Sequence, residues 1–318
     1  MATTTTISAF AQDVREGLTA KSKHLSSRYF YDDAGSRIFM EIMKMPEYYP
    51  TGCEFEILLQ QSTQILDRLQ FKGHFNIVEF GSGDGAKTKH LLKSFTGAGA
   101  QFTYIPIDIS QEAIDVLQDN ITAFVSGIDM QPRTGDYFDV LEEISTSDIP
   151  NLFLFLGGNI GNYKYDDALS LLQKFNAGMK SGDKLLMGID LQKNPRVVQL
   201  AYDDPHGITK AFNMNLLQRI NNELEADISL DQFDFYSNYN PQNGEVNSYL
   251  VSLKKQHFHS TVLNETFFFE KDELVWTELS KKYSFADIEA LAKKAGFAVS
   301  QNFMDCKHYF TDSLWEKS

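Results

Sequence analysis

The stretch VEFGSGDGAKT, Val78 to Thr88, sets glycines at 81, 83 and 85 between an apolar run and a polar run with helical spacing. Glycine accepts a positive φ and lets a ligand approach bare backbone, while a helix N-terminus offers unpaired amides. A strand, a tight bend and a helix in that order predict a βαβ unit, and the pattern repeats from about Asn76 to Asp190. Strands are predicted near Asn76–Phe80, Thr103–Asp108, Leu152–Leu156 and Lys184–Ile189. Between them, Ser110 can cap a helix running from Glu112 to Asn120, and Tyr165 to Met179 has apolar residues at helical intervals.

Beyond Asp190 the alternation stops. Residues Arg196 to Ala226 read as one or two helices, followed by strand-like segments such as Glu245–Leu253 and Thr266–Phe269. Ser284 to Gly296 reads as a capped helix, and Ala298 to the end as two strands returning to the first sheet. The fold class is therefore α/β, a Rossmann-like core with a second, smaller α+β domain. The expected division is 53–192 plus 283–318 for the core and 1–52 plus 193–282 for the second domain. No glycine- or serine-rich linker separates them, and ligands are expected in a cleft at the open ends of the strands.

Composition narrows the partners. A formal charge of −14 leaves no net positive field for phosphate backbones or anionic lipid, so neither nucleic acid nor membrane is expected. The N-terminus MATTTTISAFAQDVREG has neither a basic start nor a long apolar stretch, which reads as cytosolic. Cys53 and Cys306 lie far apart with no CxxC, and His257 and His259 share a strand face with no third ligand in view, so no metal is expected.

The bend also satisfies the dinucleotide pattern GxGxxG/A, and further acids discriminate between ligands. Asp108 ends the next strand, where a carboxylate accepts both hydroxyls of a ribose. Asp136, in TGDYFD, follows a third strand-like segment, where an acid could accept from an adenine amino group. Glu79 adds a carboxylate near the bend, a poor neighbour for a pyrophosphate and a tolerable one for an ammonium and a sulfonium. S-adenosylmethionine fits this surround better than NAD, which leaves an NAD-dependent oxidoreductase as the distant alternative.

Seven further stretches carry a resemblance: RYFYDDAGSRIF (28–39), MPEYYPTGCEFEIL (45–58), PIDIS (106–110), FLGGNIGN (155–162), GIDLQK (188–193), AYDDPHGITKAFNMNLLQRIN (201–221) and WTELSKKY (276–283), together with the glycine bend. In this order the chain resembles the histidine-specific methyltransferases of ergothioneine biosynthesis, which turn histidine into its trimethylated betaine, hercynine. The resemblance implies a class I methyltransferase core using S-adenosyl-L-methionine and a second domain that binds the amino acid. It assigns Tyr48, Asn162 and Tyr202 to the substrate's carboxylate and amino group, and Tyr31 to a place close to that amino group. It assigns Glu278 and Ser280 to the imidazole, and Gly81, Gly83, Asp108 and Asp136 to the cofactor. Independently of it, Glu278 and Ser280 are two apart in an extended segment, so a carboxylate and a hydroxyl face one way.

The pattern departs at two places. Ser248, in VNSYL, stands where the family has a methionine near the imidazole, and Gly52 replaces the usual arginine of YYPTR. The smaller, more polar wall at Ser248 keeps open a different aromatic acceptor such as tryptophan or a derivative. A ligand-binding relative without turnover is the non-enzyme alternative. Tyr31, or a water that it orients, is the expected acceptor of the amine's proton, and a monomer is expected.

Overall fold

The computed structural model describes residues 8–108, 111–135, 140–141, 144 and 148–318. They fall into two compact units, Met1–Tyr49 with Lys193–Ser280, and Pro50–Gln192 with Lys281–Ser318.

The second of these is built on one sheet. Strands β1 (Phe75–Phe80), β2 (Phe102–Asp108), β3 (Asp129–Met130), β4 (Arg133–Thr134), β5 (Asn151–Phe155) and β6 (Lys184–Asp190) run parallel to their neighbours. The two C-terminal strands (Phe297–Met304 and Phe310–Lys317, β12 and β13) close it by antiparallel pairing, giving the order β12-β13-β6-β5-β1-β2-β3, with β4 also on β2. This mixed, parallel-dominated sheet agrees with the Rossmann-like α/β core expected from the sequence. The chain leaves β1 toward β2 on one side and returns to β5 on the other, so the direction of winding switches at the carboxyl end of β1, where open α/β sheets bind ligands.

Every residue of β1 and β5 is buried, as strands covered on both faces require. Their apolar side chains enter a core in which Phe80 stacks on Phe153 and Phe175, with centroids 5.7 and 4.8 Å away. Three strands start one residue earlier than the apolar pattern alone predicts. Asn151, the added first residue of β5, accounts for one of these: its buried amide is satisfied, Nδ2 donating to Asp183 Oδ1 at 3.1 Å and Oδ1 accepting from Asn76 Nδ2 at 2.9 Å. Ser110 and Asp136 lie outside the described residues.

The other unit packs the helices Ala9–Thr19, Asp33–Lys44, Pro195–Tyr202 and Ile208–Leu224 with two small sheets. Strands β7 (Phe233–Asn240) and β8 (Glu245–Ser252) pair antiparallel, and β11 (Leu274–Lys281) lies on the other side of β8. β9 (Gln256–Ser260) and β10 (Glu265–Phe269) form a hairpin. The 196–226 segment is two helices because Asp204 turns the chain between them: its carboxylate accepts from the amides of His206, Ile208 and Thr209 at 2.7–3.0 Å. A core containing Phe10, Phe30, Phe212, Leu216, Leu250 and Val275 holds these elements together.

Candidate active site

The glycine bend lies at the winding switch. Gly81, Gly83 and Gly85 all have positive φ (65°, 54° and 66°), which an L side chain adopts only with strain. A Cβ at Gly83 would point into open space, so this backbone is bare to any ligand above it. The side chain of Asp108 is half-buried at the carboxyl end of β2. A bare backbone cradle with an acid one strand away fits a nucleoside that carries a diol, with Asp108 placed where its carboxylate could accept from one.

Glu79 corrects one expectation. Rather than adding charge around the ligand, its carboxylate turns inward and is buried, accepting from Thr88 Oγ1 at 2.6 Å and from the Tyr104 hydroxyl. Thr88 opens the helix Thr88–Gly97, so Glu79 ties the end of β1 to the next element. Burial raises its pKa to about 7, against the opposing pull of the Thr88 and Tyr104 hydrogen bonds and of Lys87.

Two residues in this unit escaped the sequence reading. Lys87, last in the bend, donates to Glu54 Oε2, and Glu54 Oε1 accepts the Gly157 amide at 2.6 Å. Nothing in the spacing of Glu54 marks it as buried. Asn162 ends the short 3-10 helix Asn159–Asn162 and is exposed. The approach of this turn to the chain at Lys281 requires Gly161, where a Cβ would meet the Lys281 carbonyl at 2.7 Å.

Four of the predicted acceptor residues are tied together in the other unit. Tyr202, at the end of the helix Pro195–Tyr202, meets Ser280 with its hydroxyl 2.9 Å from Ser280 Oγ, both side chains buried. Tyr48 packs edge-on against Tyr202 with centroids 6.1 Å apart, and Phe39 against Tyr48 at 6.3 Å. Tyr31 packs edge-on against Phe39 at 5.4 Å and Phe212 at 5.6 Å. Tyr49, next to Tyr48, is a buried aromatic whose hydroxyl accepts from Lys193 Nζ at 2.8 Å. Glu278 is half-buried on β11, two residues before Ser280.

Tyr31 and Glu278 sense each other electrostatically. Burial and then the Glu278 charge push the Tyr31 hydroxyl above the ordinary phenol range. Half of the Tyr31 surface is open, so water blunts the first cause and the Glu278 charge is the firmer one. Tyr31 is therefore held as a phenol at neutral pH. Ser248 is buried opposite Ser237 in the β7–β8 register, and neither hydroxyl has a hydrogen-bond partner among the described residues.

Among the described residues, Glu56, Asp305 and Cys306 bring ligand atoms within 4.8 Å of one another. The Asp305 oxygens already accept from the amides of Lys307, Tyr309 and Phe310, and Glu56 from that of Cys306, which makes the group a turn cap. No helix among the described residues is long and apolar enough to cross a membrane.

A family model described as histidine-specific methyltransferase, SAM-dependent, matches residues 10–317. The histidine N-alpha-methyltransferase of Mycobacterium tuberculosis is 34% identical over 288 residues, covering 91% of this chain and 88% of that protein. The protein of the same name from Mycolicibacterium smegmatis is 34% identical over 304 residues, 96% of this chain and 91% of its own. An L-tryptophan methyltransferase of Psilocybe serbica is 29% identical over 310 residues, 90% of this chain and 86% of that protein.

Proposed function

Because the chain belongs to the SAM-dependent, histidine-specific methyltransferase family, we propose that it transfers methyl groups from S-adenosylmethionine to the α-amino group of L-histidine, ending at the trimethylated betaine. The observation that carries this reading is the match along nearly the whole chain, residues 10–317, supported by relatives of that activity at 34% identity. The core unit would hold the donor, and the α+β unit would supply all of the acceptor's proposed contacts except Asn162. We place the reaction in the cytosol, on a single chain.

S-adenosylmethionine, when bound, supplies an electrophilic methyl on a sulfonium. Gly81, Gly83 and Asp108 serve as its seat, with Asp136 on the adenine. Tyr48, Asn162 and Tyr202 grip the carboxylate and amino group of the acceptor, and Glu278 and Ser280 bind its two imidazole nitrogens. Alignment of the amine with the methyl is the main task, and well-oriented systems gain on the order of 7–11 kcal/mol from it. Attack also needs a neutral amine. Tyr31, held as a phenol, is a poor proton acceptor in itself, so its role is to orient the water that takes the proton. Tyrosine faces keep attracting the nitrogen as it becomes quaternary, when its hydrogen bonds are gone. The reaction stops at three methyls because no lone pair is left.

A second acceptor, tryptophan or a derivative, is favoured by one observation: Ser248 and Ser237 form a small wall whose hydroxyls have no described partner. Incubation with labelled S-adenosylmethionine and a panel of twenty amino acids, with products read by mass spectrometry, decides between the two. Trimethylhistidine as the dominant product is the expected result. Label on tryptophan with none on histidine moves the function to the second acceptor, and no label on any amino acid defeats both.

A further inference from the structure

Beneath the glycine bend lies a cluster of charged side chains that the reaction itself does not use. Glu54 is fully buried in the helix Tyr49–Gln60. One of its oxygens accepts the Gly157 amide at 2.6 Å, in the turn that follows β5; the other accepts from Lys87, the residue that ends the bend after β1. β1 and β5 are the two strands at the winding switch, so a single carboxylate reaches both of the loops at the carboxyl ends of that pair.

The neighbouring strand makes room for it. A Cβ at Gly188, in β6, would lie 2.2 Å from Glu54 Oε1 and 3.1 Å from the Gly157 nitrogen, so any side chain there would expel the carboxylate. Opposite Gly188 in the β13–β6 register stands Asp312, fully buried, with no hydrogen-bond partner for either oxygen among the described residues. Phe303, its partner on β12, brings no charge, and Glu54 and Lys87 are the charged groups that act on it. A buried, unbonded carboxyl beside another acid is tolerable only when neutral. Burial and then Glu54 drive the Asp312 pKa well above the carboxylate range. Burial works against the charge on Lys87, and Glu54 outweighs it, so the pKa of the ammonium is raised. The cluster thus joins Lys87 to Glu54, with Asp312 as a silent acid.

We propose that Glu54 is a positioning residue of the cofactor site, setting the glycine bend through Lys87 and the turn after β5 through Gly157. This rests on the reading that the bend seats S-adenosylmethionine. Losing a charge-assisted hydrogen bond of this kind weakens binding by roughly 10- to 100-fold. Asp312, being neutral already, contributes little.

Calorimetric titration with S-adenosylmethionine, alongside steady-state kinetics, tests it on the full chain. Glu54→Gln is expected to weaken donor affinity by about tenfold or more and raise the donor KM to match, leaving kcat at saturating donor within about twofold. Asp312→Asn should stay within about twofold of the parent in affinity. Combining Glu54→Gln with Lys87→Gln should weaken binding no further than Glu54→Gln alone, the non-additivity of two groups acting as one, which a merely structural Glu54 would not produce. Unaltered affinity in Glu54→Gln, or full additivity in the pair, overturns the proposal. Should Glu54→Gln fail to fold, Lys87→Gln alone must show the loss, and parent-like affinity there is equally fatal. A parent protein that takes up no S-adenosylmethionine defeats the donor reading itself, whereas a parent that binds while Glu54→Gln binds equally well defeats only the role of Glu54.

Discussion

At the scale of single residues, selectivity rests on what a buried polar group loses when its partner is wrong. Ser280 is buried and already shares a hydrogen bond with Tyr202, so its remaining capacity is directed and cannot be supplied by bulk water. Glu278 is half-buried two residues earlier on the same strand. An acceptor with an apolar ring offers neither group a polar atom, and sites built to hydrogen-bond a substrate reject such analogues by roughly 10⁴-fold or more. Glu278→Ala should therefore collapse the preference for histidine over phenylalanine in a competition assay, with a smaller loss of the maximal rate. A variant that retains the parent ratio takes Glu278 out of imidazole recognition. The same substitution removes the charge that holds Tyr31 high, so any alkaline limb arising from Tyr31 should move to lower pH in Glu278→Ala.

At the scale of elements, Glu79 shows how a buried acid joins a strand to a helix and how it couples that joint to pH. Its folded pKa of about 7 stands above the 4.5 of an ordinary glutamate, with burial as the leading cause. Below the unfolded value both states are protonated and nothing is lost. As pH rises from about 4.5 to about 7 the unfolded chain ionises first, so stability falls, by up to about 3 kcal/mol, and levels off above. Glu79→Gln should flatten this part of the curve, so that urea midpoints at pH 5.5 and 8 differ less in the variant than in the parent; equal differences would refute the assignment. A cap offers a simpler case. Ser284 Oγ accepts from the Asp287 amide at 3.1 Å and Asp287 Oδ2 from the Ser284 amide at 3.0 Å, closing the N-terminus of Phe285–Lys294. Ser284→Ala should cost about 1 kcal/mol and lower the melting temperature by a few degrees. That cap was legible in the sequence, as were the glycine bend, the parallel strands and the return of the last two strands to the sheet, because each is written in local spacing. The inward turn of Glu79, the burial of Glu54 and the satisfied amides of Asn76 and Asn151 were not, since each depends on partners on other elements, 9 and 25 residues away for Glu79 and 32 or more for the others.

At the scale of the whole molecule, the chain is divided so that each compact unit takes residues from widely separated stretches of sequence. The residues proposed for the donor, Gly81, Gly83 and Asp108, belong to one unit, and the tyrosines with Glu278 and Ser280 to the other. Ligands that bind the folded state alone stabilise it by mass action, about 2.7 kcal/mol at one hundred times Kd. If each unit carries its own ligand, the two stabilisations are separable. Asp108→Ala should abolish most of the rise in melting temperature caused by S-adenosylmethionine while preserving the rise caused by histidine, and Glu278→Ala should do the reverse. Both substitutions lie at half-buried positions, so the unliganded melting temperatures should stay close to that of the parent and leave the ligand shifts readable. Loss of both shifts in either variant would mean that the two ligands do not divide between the units in this way, and retention of the S-adenosylmethionine shift in Asp108→Ala would remove that carboxylate from the ribose.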